Sequence, residues 1–149
     1  MAEQNPEMTI ELIPLCTATV RLKDPFMIPE SPAGMRVIVE VESWDVEGER
    51  LNAHLHGAAA ADWMTISSAL LGTIDVRATL ETDDGALIYT WYHGRMDLSG
   101  GTGSSPAYSA PLYETSDERY LWMNKIQAVA KGITSPDGHQ LVYEICEVR

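Results

Sequence analysis

Two stretches of this 149-residue chain carry ionisable and aromatic side chains at spacings that could do chemistry. Within Gly72 to Thr82, Asp75, Arg77 and Thr79 alternate with Ile74, Val76, Ala78 and Leu80, and Asp62-Trp63 lies shortly before them. Further on, Tyr120, Trp122, Asn124 and Ile126 recur at every second position. In a strand, residues two apart share a face, so each set acts as a unit. If the sets line a pocket, a desolvated Asp62 or Asp75 is a candidate general base. Arg77 would then stabilise a developing oxyanion, with Asn124 as a hydrogen-bonding group. Trp63, Tyr120 and Trp122 would wall the substrate. If they instead coat the exterior, Asp75 and Arg77 form a surface ion pair beside a structural aromatic ladder. Periodicity leaves both readings open.

His54 and His56 add a second signal, because two histidines at i and i+2 on a strand point the same way. Gly48, five residues and His-x-His match the start of a cupin metal motif, but no glutamate follows at the required spacing and no second motif appears. A metal site needs three or four converging ligands, so none is expected, and His54 is kept as a candidate base. Tyr89, Trp91 and His93 fall on one face of another stretch, with Tyr89 a candidate substrate contact; Leu112 to Thr115 could cap a barrel mouth, Glu114 being a further acid. There is no Gly-x-Ser-x-Gly elbow and no phosphate-cradling loop with its lysine, so nicotinamide, flavin and ATP chemistry are not expected and no cofactor is assigned.

Composition narrows the partners. Ten Lys and Arg against 22 Asp and Glu give a net charge of −12, with no basic cluster, so nucleic acid and anionic membrane are poor partners. No apolar run approaches the roughly 20 residues of a membrane helix, and the acidic start Met1 to Glu7 lacks the features of a leader. The expectation is a cytoplasmic protein. Cys16 and Cys146 are too few for a disulfide framework and read as small, reduced hydrophobes that a closing barrel could make neighbours.

The elements that must position these groups read as strands. Met35 to Glu42 alternates cleanly, Leu15 to Leu22 is rich in β-branched residues, and Leu51 to His56 alternates after a turn. Asp83-Asp84-Gly85 turns a hairpin between Gly72–Thr82 and Ala86–His93. Ser135 to Gly138 joins a strand over Tyr120–Lys131 to a last strand over His139–Val148. Ala58 to Leu71 reads as a loop with one helical turn, Ser99 to Ser105 as a flexible loop, and residues 1–9 as a flexible terminal segment of one domain, 1–149. About eight strands without alternating helices argue for a sandwich or barrel.

Several short motifs occur in a telling order: Ala61-Asp62-Trp63, Asp75-Val76-Arg77, Thr82 to Tyr89, Tyr92-His93-Gly94-Arg95, Leu112 to Thr115 and Arg119 to Asn124. The series resembles the family known as domain of unknown function 3237, or uncharacterised protein family 0311, from about Leu12 to Val148. The resemblance implies a small β-barrel, bacterial or fungal, often found among genes for aromatic or secondary metabolism. His54-Leu55-His56 departs from that pattern. The expected fold is all-β: an antiparallel, closed or nearly closed barrel of about eight strands, like lipocalins and allene oxide cyclases. The expected function is cofactor-independent lyase, isomerase or cyclase chemistry on a small apolar or aromatic molecule inside the barrel. The alternatives are a lipocalin-like carrier and a structural homo-oligomer; a dimer is expected because free edge strands invite pairing.

Overall fold

Alternation decides the architecture. In the computed structural model, which describes Glu3 and residues 5–149, eleven strands form among the described residues. They are β1 (Leu12–Leu22), β2 (Phe26–Ser31), β3 (Gly34–Glu47), β4 (Ala53–Leu55), β5 (Ala61–Ile66), β6 (Leu71–Thr82), β7 (Leu87–Asp97), β8 (Ala107–Ser109), β9 (Leu112–Glu114), β10 (Gln127–Thr134) and β11 (Gln140–Val148). All pairings are antiparallel, and the ladder runs β1, β3, β5, β6, β7, β8, β10, β11 and back to β1. This closes an eight-position barrel. Two positions are shared: β4 and β5 both pair with β6, and β8 and β9 both pair with β7. β2 lies off the ring, paired with β3 alone.

Two bulges change which residues face inward. Between β1 and β11, Pro14 pairs with Cys146 and Cys16 with Ile145, so Leu15 is the extra residue and both Leu15 and Cys16 are buried. Between β1 and β3, Arg21 pairs with Ser43 and Leu22 with Val41, which leaves Glu42 unmatched. Val37 and Val41 point inward before this bulge; Trp44 and Val46 point inward after it. A bulge bends and twists its strand, which a closed sheet needs.

One end of the barrel is filled. Leu51, Leu80, Ile88 and Met123 are almost completely buried there, together with Tyr113. Met123 comes from a 3-10 helix, Glu118–Lys125, capped by the Asp117 side chain, which accepts from the Arg119 N–H at 3.0 Å. The expected strand over Tyr120–Lys131 is therefore corrected: its first half is this helix and the strand starts at Gln127. Cap and helix use local hydrogen bonds that a period-two reading does not register. The Ala58–Leu71 segment is also corrected, since Ala61–Ile66 is a strand; its β-rich Trp-Met-Thr-Ile core outweighs the helical preference of the preceding alanines. Of the expected flexible segment 1–9, residues 1, 2 and 4 lie outside the described residues, and Pro6–Met8 form a short 3-10 turn capped by Asn5. Among the described residues, no helix is long and apolar enough to cross a membrane.

Asn124 closes this end. Its Oδ1 accepts from the Thr115 N–H at 2.8 Å, and its Nδ2 donates to the Thr115 carbonyl at 2.9 Å. Asn124→Ala should therefore cost about 1–2 kcal/mol in denaturant unfolding, with no change in small-molecule binding at the other end.

Candidate functional site

The open end of the barrel holds a hollow of about 250 Å³. Its walls are aliphatic: Val20 and Leu22 from β1, Val39 and Val41 from β3, Met64 from β5 and Ile74 from β6 are among them. Aromatic groups stand between it and the filled end. Tyr92 on β7, opposite Val76 of β6, and Tyr143 on β11 meet across the interior with their hydroxyls 3.2 Å apart and rings edge-on at 5.8 Å. Trp44 packs edge-on against Tyr92 at 6.3 Å, and its buried Nε1–H has no hydrogen-bond partner among the described residues. Tyr143 fits because it faces Gly132, where a Cβ would stand 2.5 Å from the tyrosine ring.

One ionisable group reaches the middle of this wall. Asp62 on β5 pairs with Val39 on one side and Val76 on the other, and its side chain lines the hollow. The β5–β6 ladder pairs at Ala61–Asp62 and again at Thr65–Ile66, and is open between. In that gap Asp62 Oδ1 accepts the Asp75 N–H at 3.0 Å, while Oδ2 has no hydrogen-bond partner among the described residues. Burial pushes the carboxyl up to about 6, with the Asp75 N–H opposing the rise and the Asp75 charge adding to it. Burial raises both phenols as well; the Tyr92–Tyr143 contact raises Tyr92 further, and the charge of Asp62 raises both. The arrangement can take up a proton and return it near neutral pH inside an apolar chamber.

The mouth is polar. Lys23, Thr102, Asp137 and His139 border it. His139 bridges two of its lips, with Nε2 2.8 Å from Asp24 Oδ1 and Nδ1 3.7 Å from Asp137 Oδ2. The hydrogen bond to Asp24 holds its pKa above the usual histidine value.

Most of the side chains singled out from sequence stand elsewhere. Asp62 lines the hollow. The expected convergence of Asp75, Arg77, Trp122 and Asn124 within it does not occur. On β6, Ile74, Val76, Ala78 and Leu80 take the inside, and Asp75 and Arg77 face out, where their charges stay hydrated. They also do not pair: Asp75 lies 3.3 Å from His93, and the Arg77 guanidinium sits 4.7 Å over the outward ring of Trp63. His54 is exposed on β4, 3.9 Å from Glu81, whose carboxylate also holds His56 at 3.1 Å. Tyr89 stacks on Trp91 outside the barrel at 5.4 Å. Tyr120 donates to Asp84, and Trp122 lies under the Arg50 guanidinium at 5.0 Å. Tyr89, Glu114 and Asn124 are brought together, but at an open depression on the outer wall. Among the described residues, no three His, Cys, Asp or Glu side chains are placed to hold a metal ion.

Trp44, Tyr92 and Tyr143 were given no role in a site from the sequence, although Tyr92 lies in one of the motifs. The signals were present: Gly132 interrupts a strand, which marks a close approach, and Tyr92 shares parity with Ile88 and Thr90. Cys16 and Cys146 lie on adjacent strands as free thiols, and burial pushes the Cys16 thiol up to about 12.

Fold and site together define a small antiparallel β-barrel that is filled at one end and hollow at the other. The chain belongs to the family described as protein of unknown function DUF3237, whose model matches residues 10–148. It is similar to a β-barrel-like protein from Acinetobacter baumannii AYE at 29% identity and a TM-score of 0.85, over 99% of this chain and 100% of that one. A protein of unknown function from Rhodopseudomonas palustris superposes with a TM-score of 0.84 at 23% identity, covering 95% and 99% of the two chains. An enzyme from Penicillium herquei shares the fold at 18% identity and a TM-score of 0.70, over 100% of both. No curated protein sequence matches the chain.

Two outcomes follow from this geometry. Asp62 is protonated more readily folded than unfolded, so the native state binds the extra proton between about pH 4 and pH 6. Stability therefore falls as pH rises through that window, and the loss is complete above it. Asp62→Asn keeps the Oδ1 acceptor and removes the charge. It should stabilise the fold by about 1–3 kcal/mol at pH 8 and by almost nothing at pH 4, in denaturant titrations of both chains. Gly132→Ala should cost about 1–3 kcal/mol and displace the Tyr143 ring, seen as a changed near-ultraviolet circular dichroism signal.

Proposed function

We propose that this chain is a cofactor-independent enzyme that moves a proton on a small apolar or aromatic molecule held in the hollow, with Asp62 as the general base. The observation that carries the reading is a carboxylate oxygen with no hydrogen-bond partner among the described residues, on the wall of a mainly apolar chamber. Asp62 takes a proton from one atom of the substrate and returns it to another, or to a departing group. No electrons are transferred, so isomerase, cyclase and lyase outcomes all balance without a redox partner. The buried phenols of Tyr92 and Tyr143 supply hydrogen bonding beside it, and the aliphatic walls exclude water from the ionised intermediate. A hollow of about 250 Å³ lies just below the roughly 300–1,000 Å³ of sites for drug-sized ligands, which favours a molecule of one or two rings. The fold neighbour from Penicillium herquei described as an enzyme supports catalysis by fold analogy.

A carrier is the second reading, favoured by the mainly apolar lining. The two separate on one variant. Small hydroxy- and keto-aromatics incubated without added cofactor should yield isomers or elimination products by mass spectrometry, and Asp62→Asn should slow the conversion roughly 10²–10⁴-fold with its fold intact. Ligands that bind and come back unchanged from both chains would establish a carrier.

A further inference from the structure

The polar atoms deep in the hollow specify more than a size. Asp62 presents one carboxylate oxygen that accepts hydrogen bonds and has no protein donor among the described residues. The Tyr92–Tyr143 pair uses one of its two O–H protons on itself, and the other has no acceptor among the described residues. The inner end thus offers one charged acceptor and the phenol donor on the lining of one hollow, with the Trp44 Nε1–H as a further unpartnered donor in the aromatic wall. A buried donor or acceptor left unmatched is costly, so the ligand's polar end must answer both.

Few groups can do so. A carboxylate or phosphate brings a second negative charge beside Asp62, and the one Lys or Arg lining the hollow is Lys23 at the mouth. An ammonium group matches Asp62 but has no lone pair for the phenol. A ketone or ether matches the phenol and leaves the carboxylate without a donor. A hydroxyl group both donates and accepts. The protein's net charge of −12 adds a long-range bias against anions.

Resting on the reading of the hollow as a substrate site, we infer that it takes an uncharged, hydroxyl-bearing apolar molecule, hydroxyl first, with the ligand O–H donated to Asp62 and its oxygen accepting from the Tyr92–Tyr143 pair. The proton that Asp62 removes is then the hydroxyl proton. The ligand's apolar body lies along Val39, Val41, Met64 and Ile74 and points toward the mouth.

Calorimetric titration at about pH 8, where Asp62 is ionised, tests this with a set of probes that share one ring system: naphthol, naphthylmethanol, naphthalene, naphthoate and naphthylmethylamine. A hydroxyl probe should bind at least about tenfold tighter than naphthalene, naphthoate and the amine. Preference for naphthol over naphthylmethanol identifies a phenol or enol substrate, and the reverse an alcohol. Asp62→Asn and, separately, Tyr143→Phe should each remove most of that preference while naphthalene affinity stays within a few-fold. Naphthoate or the amine binding tightest, neither hydroxyl probe binding tighter than naphthalene, or failure of all five to bind at millimolar concentration would each overturn the inference. Loss of hydroxyl preference in Asp62→Asn without turnover of any compound sustains the inference and defeats the catalytic proposal. Turnover that depends on Asp62 with no hydroxyl preference does the opposite.

Discussion

The contact between Tyr92 and Tyr143 across the interior organises the rest of the barrel. A closed eight-position barrel is wide enough either to fill with side chains or to hold one small molecule, and this one does both along its length. Small residues on one side, Ala18, Ala130 and Gly132, leave room for the two rings to meet. With Trp44 against Tyr92, they separate a packed end, closed by Met123, from an end where Val39, Met64 and Ile74 surround open space. The hydroxyls that bond to each other keep two polar atoms satisfied in surroundings that would otherwise penalise them.

That arrangement depends on the bulge at Glu42. Had β3 kept strict alternation after Val41, Ser43 would face inward and Trp44 would face water, because a one-residue slip turns every following side chain over. The inserted residue sends Trp44 to the interior, where it meets Tyr92. The second bulge, at Leu15, puts two consecutive apolar residues of β1 into the filled end. Neither insertion changes composition or local hydrophobicity, and each is visible only once partner strands set the register.

This explains what could be read in advance and what could not. The strands of β3, β6, β7 and β11 were legible because their apolar residues repeat at period two, and the hairpin at Asp83-Asp84-Gly85 because Gly85 takes φ 92°. Asp62 was legible as a candidate base, though not as a strand residue. The face of β6 was not legible, because alternation names two sets of residues without saying which is inside. Solvation decides it: four aliphatic side chains gain from burial, and Asp75 and Arg77 lose nothing by staying in water. The stretch from Tyr120 to Asn124 misled for another reason. Its polar and aromatic residues recur at period two by coincidence, while the Asp117 cap and the burial of Met123 determine a tight helix.

Asp62 is the point at which the fold and the proposed function pull apart. Every other carboxylate whose pKa departs from the ordinary range is held low, as Asp84, Asp97, Asp117 and Asp137 are by hydrogen bonds at the surface. Asp62 alone is pushed up, by lost hydration, with a single backbone N–H in partial compensation. An asparagine could accept the same N–H without that electrostatic cost, so the carboxyl is not required by the ladder it bridges. A carrier of ligands that have no hydrogen-bond donor gains nothing from an ionisable group at this depth. The proton transfer proposed for Asp62 does need such a group, and a local cost of this kind is what that reading expects.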